Sequence, residues 1–208
     1  MPPAAPHDPP AHVRRAQGAG LVAALTFDDG PDPRATPRLL DVLRGHGIRA
    51  VFAVVGESIL APGGADILRR TVAEGHVLCN HSTSFADMGG WPAERVRADL
   101  EDNLRIIREA AGSVAVPFWR APNGSWGVTA EVAAQLGMRP LAVTNTILDW
   151  ETQDVPVLTE RLRAALTPGE LVLAHDGGGD RRGTVAAVEA VLADSLAAGW
   201  RFTLPDGC

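Results

Sequence analysis

The chemistry-bearing residues of this chain begin with Asp28-Asp29, which follow the apolar run Leu21-Val22-Ala23-Ala24-Leu25 and precede Gly30-Pro31. Two adjacent carboxylates at the end of a buried strand are costly unless they are paired, hydrogen-bonded or bound to a cation. Neighbouring side chains on a regular strand point to opposite faces, but a Gly-Pro turn can re-aim them into one pocket. One carboxylate then suits a metal ligand and the other a general base. The alternative is an acidic turn that caps the next helix. Four more polar clusters occur: Asn80-His81-Ser82, Arg120-Ala121-Pro122-Asn123-Gly124, Asp149-Trp150 and His175-Asp176 with three glycines behind it. Taken singly, each also reads as a surface arginine, a turn or a loop histidine. The glycine run lacks the Lys-Ser/Thr ending of a phosphate loop.

The elements that must position these residues are legible from hydrophobic spacing. Short apolar runs at Arg49–Gly56, His76–Cys79, Val116–Trp119, Leu141–Thr144, Leu171–Ala174 and Arg201–Leu204 read as strands. Between them lie amphipathic helices. One is capped by Thr36 with Pro37 at its first position, and a long one carries Val96, Leu100, Leu104 and Ile107 on one face. Others are capped by Thr129 and Thr184. Strand and helix alternate about seven times, which predicts parallel strands with helical crossovers. Each polar cluster falls just after a strand, the end where barrels and open α/β sheets build their sites.

A length of 208 residues suits one domain. The net charge of −6 offers no basic stripe for nucleic acid, and no apolar stretch is long enough for a membrane span. Residues 1–19 are rich in Pro and Ala, with Arg14-Arg15 but no apolar core. They make a poor export signal and are expected to be a flexible tail before a domain over residues 20–208, with a cytoplasmic location as the default. Cys79 and Cys208 predict no particular disulfide.

From Leu21 onward the strand-end clusters, in this order and spacing, resemble the polysaccharide deacetylase family, also called NodB-homology domains or family-4 carbohydrate esterases. The resemblance implies a distorted (β/α) barrel with about seven parallel strands. It also implies hydrolysis of the C–N bond of an N-acetylated amino sugar or related small molecule. Carried over to this chain, Asp28 is the base, Asp29 and His81 are metal ligands, and Arg120 orients the base. His175 is the acid, with Asp149 tuning it. The backbone N–H of Asn123 supplies an oxyanion donor and Trp150 walls the pocket. Trp126, with Trp91 and Trp119, offers aromatic surface for a sugar or simply core. The expected cofactor is zinc or another divalent ion, which polarises the acetyl carbonyl and acidifies water.

The chain departs from the family pattern in two motifs; in the fourth, Asn145 and Thr146 lie where the family often has an additional aspartate, and the larger departure is in the second. The metal-binding motif carries a second histidine four residues after the first; here His81-Ser82-Thr83-Ser84 is followed by Phe85, which has no lone pair to offer. Cys79, His76 and Asp87 are the nearby substitutes. Two further readings follow on the same scaffold: a metal-independent acid–base catalyst acting on a small biosynthetic intermediate, and a ligand-binding module without turnover. The expected partner in every case is a small-molecule or sugar ligand.

Overall fold

The computed structural model describes residues 10–208. Seven strands form one sheet: β1 (Val22–Gly30), β2 (Val51–Val54), β3 (Val77–Asn80), β4 (Phe118–Trp119), β5 (Arg139–Pro140), β6 (Glu170–His175) and β7 (Arg201–Phe202). The order is β5-β4-β3-β2-β1-β6, with β7 beside the first residues of β1, and every strand pairing is parallel. Helices α1 (Thr36–Gly45), α2 (Gly56–Leu60), α3 (Gly64–Ala73), α4 (Ala93–Ala111), α5 (Thr129–Gln135), α6 (Val155–Ala165) and α7 (Arg182–Ala197) supply the crossovers. The parallel strands with helical crossovers are those the alternation of elements predicts, and the curled, incomplete barrel is the one the family resemblance implies.

The two-residue period of the strands divides the core. Leu25 and Phe27 of β1 point outward and pack on Leu39, Leu40 and Leu43 of α1 and on Val188 and Val191 of α7. Val22 and Ala24 point inward, where they meet Val51, Ala53, Cys79, Phe118 and Leu171. Ala24, Ala53 and Cys79 are small and fully buried in this inner cluster. Burial pushes the Cys79 thiol far up from its ordinary value, and the residue behaves as a small apolar filler.

Three threonines expected to cap helices do other work. No side-chain cap forms on α1, α5 or α7. The Thr36 hydroxyl donates to Asp176 Oδ2 at 2.6 Å, Thr129 Oγ1 accepts from Trp119 Nε1 at 3.2 Å, and Thr184 Oγ1 donates to Asp149 Oδ2 at 2.8 Å. A hydroxyl beside a buried carboxylate or indole removes a larger desolvation cost than a cap recovers. The side-chain cap that does form is Asp154 on α6, through Val157 N at 3.0 Å.

Two boundaries differ from the sequence expectation. The run Leu141–Thr144 is not a regular strand: β5 ends at Pro140, and the chain continues to a single bridge between Thr146 and Leu173. The flexible tail expected over residues 1–19 is docked where it is described; residues 1–9 lie outside the described residues. Val13 is 3% exposed and Ala16 4%. Val13 bridges Leu141, Arg15 bridges Glu170 and Ala16 bridges Pro205, so this segment spans the gap between the two edges of the sheet. Its two apolar side chains and its backbone hydrogen bonds to Pro140, Gly169 and Leu204 hold it there. No helix among the described residues is long and apolar enough to cross a membrane.

Candidate active site

The inward face of the barrel turns polar one residue above its apolar plug. Continuing Val22 and Ala24 upward on β1 gives Thr26 and then Asp28. Continuing Leu171 on β6 gives Leu173 and then His175; Cys79 on β3 leads to His81, and Phe118 on β4 leads to Arg120. Asp28 and His175 are register partners on adjacent strands. These residues, remote in sequence, therefore meet at the carboxyl end of the barrel, where Asp28, His81, Leu173 and His175 line one cavity of about 800 Å³ and Arg120 stands behind Asp28.

Asp29 reaches the same cavity because β1 is irregular there. The register with β2 slips between Asp28 and Gly30, and Asp29 adopts φ +75°. A bulge of this kind re-aims a side chain, so two consecutive carboxylates share one side of the strand. Ser82, Asn123 and Leu148 also have positive φ, at 71°, 57° and 52°. Each is a site residue or the neighbour of one, and non-glycine residues held in this region cost about 1–3 kcal/mol each.

Asp28 is 3% exposed and Arg120 is 1% exposed. Arg120 Nη1 donates to Asp28 Oδ1 at 2.6 Å and to Thr26 Oγ1 at 3.0 Å, while Nη2 donates to the Ala142 carbonyl at 3.2 Å. The planar guanidinium thus fixes one carboxylate oxygen and leaves Oδ2 facing His81, 3.8 Å away.

His81 Nδ1 donates to the Arg120 carbonyl at 2.8 Å, which turns Nε2 toward Asp29 Oδ1 at 3.4 Å. Burial alone would lower the His81 pKa, but the charge of Asp28 and the hydrogen bond and charge of Asp29 raise it above the ordinary value. Burial would likewise raise the Asp29 pKa, and the hydrogen bond and charge of His81 more than offset it, leaving it lowered. The 3.4 Å separation suits two ligands each about 2.1 Å from one ion. A catalytic zinc takes three protein ligands, however, and Phe85, four residues after His81, lines the cavity with no lone pair to offer. None of the sequence substitutes reaches it. Cys79 is sealed in the interior, His76 lines a separate small cavity with Arg49 and Glu74, and Asp87 is bonded to Ser125 and Gly89. No cluster of three His, Cys, Asp or Glu side chains suited to a metal occurs among the described residues. The residues present do not complete the ligand set of a catalytic zinc.

On the opposite wall, His175 Nδ1 donates to Asp149 Oδ1 at 2.7 Å. Asp149 is fully buried, and its Oδ2 accepts from His175 N at 2.9 Å and from Thr184 Oγ1. Burial opposes the charge on both groups, yet the mutual hydrogen bond and attraction win: the His175 pKa is raised and that of Asp149 lowered. His175 therefore presents a protonatable Nε2 toward the cavity, the state a general acid needs. Trp150 is 51% exposed and stands edge-on to the His175 ring, with centroids 5.3 Å apart.

Asn123 lines the cavity, and its side-chain amide donates to the Phe85 carbonyl at 3.1 Å. Trp126 does not line it. Its ring packs against His12 with centroids 4.4 Å apart and against the cluster around Trp119 and Met88, because the turn after Gly124 carries it away from the mouth. Trp119 is fully buried. Trp150, Phe85, Val143 and Leu173 supply the apolar wall. The sequence reading gives Thr26 and Arg181 no role and takes Thr184 only as a helix cap. Their motif-like signal is weak, since a hydroxyl or arginine acting from behind a catalytic group has no spacing of its own.

Asp176, next to His175, is fully buried, and burial above all pushes its pKa up to about 7. Thr36 satisfies its Oδ2, and Oδ1 has no hydrogen-bond partner among the described residues. A Cβ at Gly30 would lie 2.3 Å from Asp176 Oδ2, so only glycine fits there. The folded pKa lies above the ordinary 3.8, so the folded state binds the proton more tightly. That contribution to stability is full below about pH 4 and is lost as the pH rises to about 7. Asp176→Asn is expected to flatten this decline. Chemical-denaturation midpoints of the two proteins at pH 5 and pH 8 check it, and equal slopes would contradict it.

The family model described as polysaccharide deacetylase matches residues 16–141. The chitooligosaccharide deacetylase of Rhizobium leguminosarum bv. trifolii is 35% identical over 156 residues, covering 74% of this chain and 70% of the relative. Among solved structures, the Bc1960 peptidoglycan N-acetylglucosamine deacetylase superposes with a TM-score of 0.84 at 26% identity, covering 93% of this chain and 89% of that one. BA3943 of Bacillus anthracis, a CE4 family pseudoenzyme, superposes with a TM-score of 0.83 at 22% identity, covering 94% and 67%, and so shares the fold. With the matched model spanning more than half of its length, the chain belongs to the polysaccharide deacetylase family.

Proposed function

We propose that the chain hydrolyses the C–N amide bond of an N-acetylated amino sugar or a related small molecule, releasing acetate and an amine. The observation that carries this reading is the pairing of Asp28 with His175 at one level of the barrel, each backed by its own partner, Arg120 and Asp149. Asp28 takes a proton from water as its oxygen attacks the acetyl carbon. The carbonyl oxygen gains charge and is met by the backbone N–H of Asn123. His175 Nε2 then gives a proton to the leaving nitrogen as the C–N bond breaks, and Trp150 and Leu173 flank the acetyl group. The deacetylase activities of the relatives support the same chemistry.

Phe85 favours a second reading on the same residues, acid–base catalysis that needs no metal. The two are separated by measuring acetate release from N,N′-diacetylchitobiose with and without a chelator, alongside zinc titration calorimetry. For a metal-assisted hydrolase, chelation abolishes release, and Asp29→Ala and His81→Ala are as damaging as loss of the base. For a metal-free catalyst, activity survives chelation and Asp29→Ala. Phe85→His is expected to raise zinc affinity by at least about tenfold, the scale on which even outer partners of a metal site act. No gain would show that Phe85 does not stand at a ligand position. Ligand binding without any turnover, unchanged by Asp28→Asn, would make the chain a binding module.

A further inference from the structure

Arg181 lines the cavity, is 7% exposed, and has no role in the chemistry described so far. The other charged groups of the cavity each have an oppositely charged partner: Asp28 with Arg120, Asp29 with His81, and His175 with Asp149. Arg181 has no carboxylate within 4 Å among the described residues. Its donors go to three backbone carbonyls: Nε to Gly177 O at 2.8 Å, Nη1 to Asp149 O at 2.9 Å and Nη2 to Gly178 O at 3.3 Å.

Those carbonyls belong to two segments that the chemistry requires to be in register. One is Asp149, whose carboxylate holds His175. The other is the glycine loop that starts two residues after His175 and lies flush on Asp29. A Cβ at Gly177 would sit 2.1 Å from the Asp29 carbonyl, and one at Gly178 (φ +68°) 2.4 Å from Asp29 Oδ2. Carbonyls in such a place need donors. A guanidinium presents several in one fixed plane, which an ammonium cannot reproduce.

We infer that Arg181 is a positioning residue: it clamps the glycine loop to the Asp149 segment and so fixes where His175 stands relative to Asp28 and Asp29. This rests on the deacetylase reading for its consequence, because displacement of an acid by about 1 Å costs on the order of 10²-fold in rate. It does not rest on that reading for its geometry.

The test uses the full chain with Arg181→Lys and Arg181→Met. In both, kcat for N,N′-diacetylchitobiose is expected to fall roughly 10- to 100-fold while KM stays within about threefold. The low-field proton resonance of the His175 Nδ1–H···Asp149 bond, observed by NMR without substrate, is expected to broaden or vanish. Retention of kcat and of that resonance in both variants would overturn the inference. So would a rise in KM at constant kcat, which would place Arg181 on the substrate instead. Should Arg181→Met fail to fold, Arg181→Lys decides. Should the parent protein release no acetate, the deacetylase reading fails, and the resonance alone decides the inference.

Discussion

Arg120→Met is expected to abolish turnover and to lower the stability of the protein by about 3–5 kcal/mol, the cost of leaving one partner of a buried ion pair uncompensated. Arg120 spends its donors on Asp28, Thr26 and the Ala142 carbonyl, all buried. Methionine fills much of the volume but satisfies none of them. Urea denaturation followed by circular dichroism gives the stability change. In the Asp28→Asn background the same substitution strands no charge, so its cost should be smaller by a coupling on the order of 1–3 kcal/mol. Equal costs in the two backgrounds would mean that the pair, although in contact, contributes nothing specific.

Asp28→Asn is the second large effect. It keeps the shape of the side chain and a hydrogen-bonding oxygen for Arg120, but it cannot accept a proton from water. The expected fall in kcat is on the order of 10²–10⁴-fold, the contribution of a positioned general base, with the fold retained and KM little changed. Acetate release under saturating substrate measures it. A variant with near-parental kcat would remove Asp28 from the proton-transfer step.

The strand-end residues were legible in the sequence through their resemblance to the family's motifs, and a period of two with parallel topology accounts for where the structure puts them. Once Val22 and Ala24 face the interior, Asp28 must as well, and the same parity fixes His81, Arg120 and His175. Asp29 breaks that parity, and only the bulge and its left-handed backbone explain how it reaches the cavity. The supporting residues were not legible for a different reason. A threonine ahead of an apolar helical face reads as a cap, and nothing local reveals that Thr184 is spent on Asp149 or Thr36 on Asp176, because both partners are far along the chain. The region after Pro140 misled for a third reason: Leu141 and Ala142 are buried by the segment around Val13 and not by membership of a regular strand. Trp126 was misplaced because its indole suits a sugar surface and a core equally well.

The segment from Val13 to Ala16 also bears on how the protein behaves at high concentration. It occupies backbone donors and acceptors at the start of β6, at Gly169 and Glu170, and beyond β5, at Pro140 to Ala142. A shortened form starting at Gly20 would bare two lengths of strand at once, each able to recruit the matching length of another copy. The loss would first be felt as self-association and poor solubility, in a molecule whose cavity residues at the opposite end are untouched.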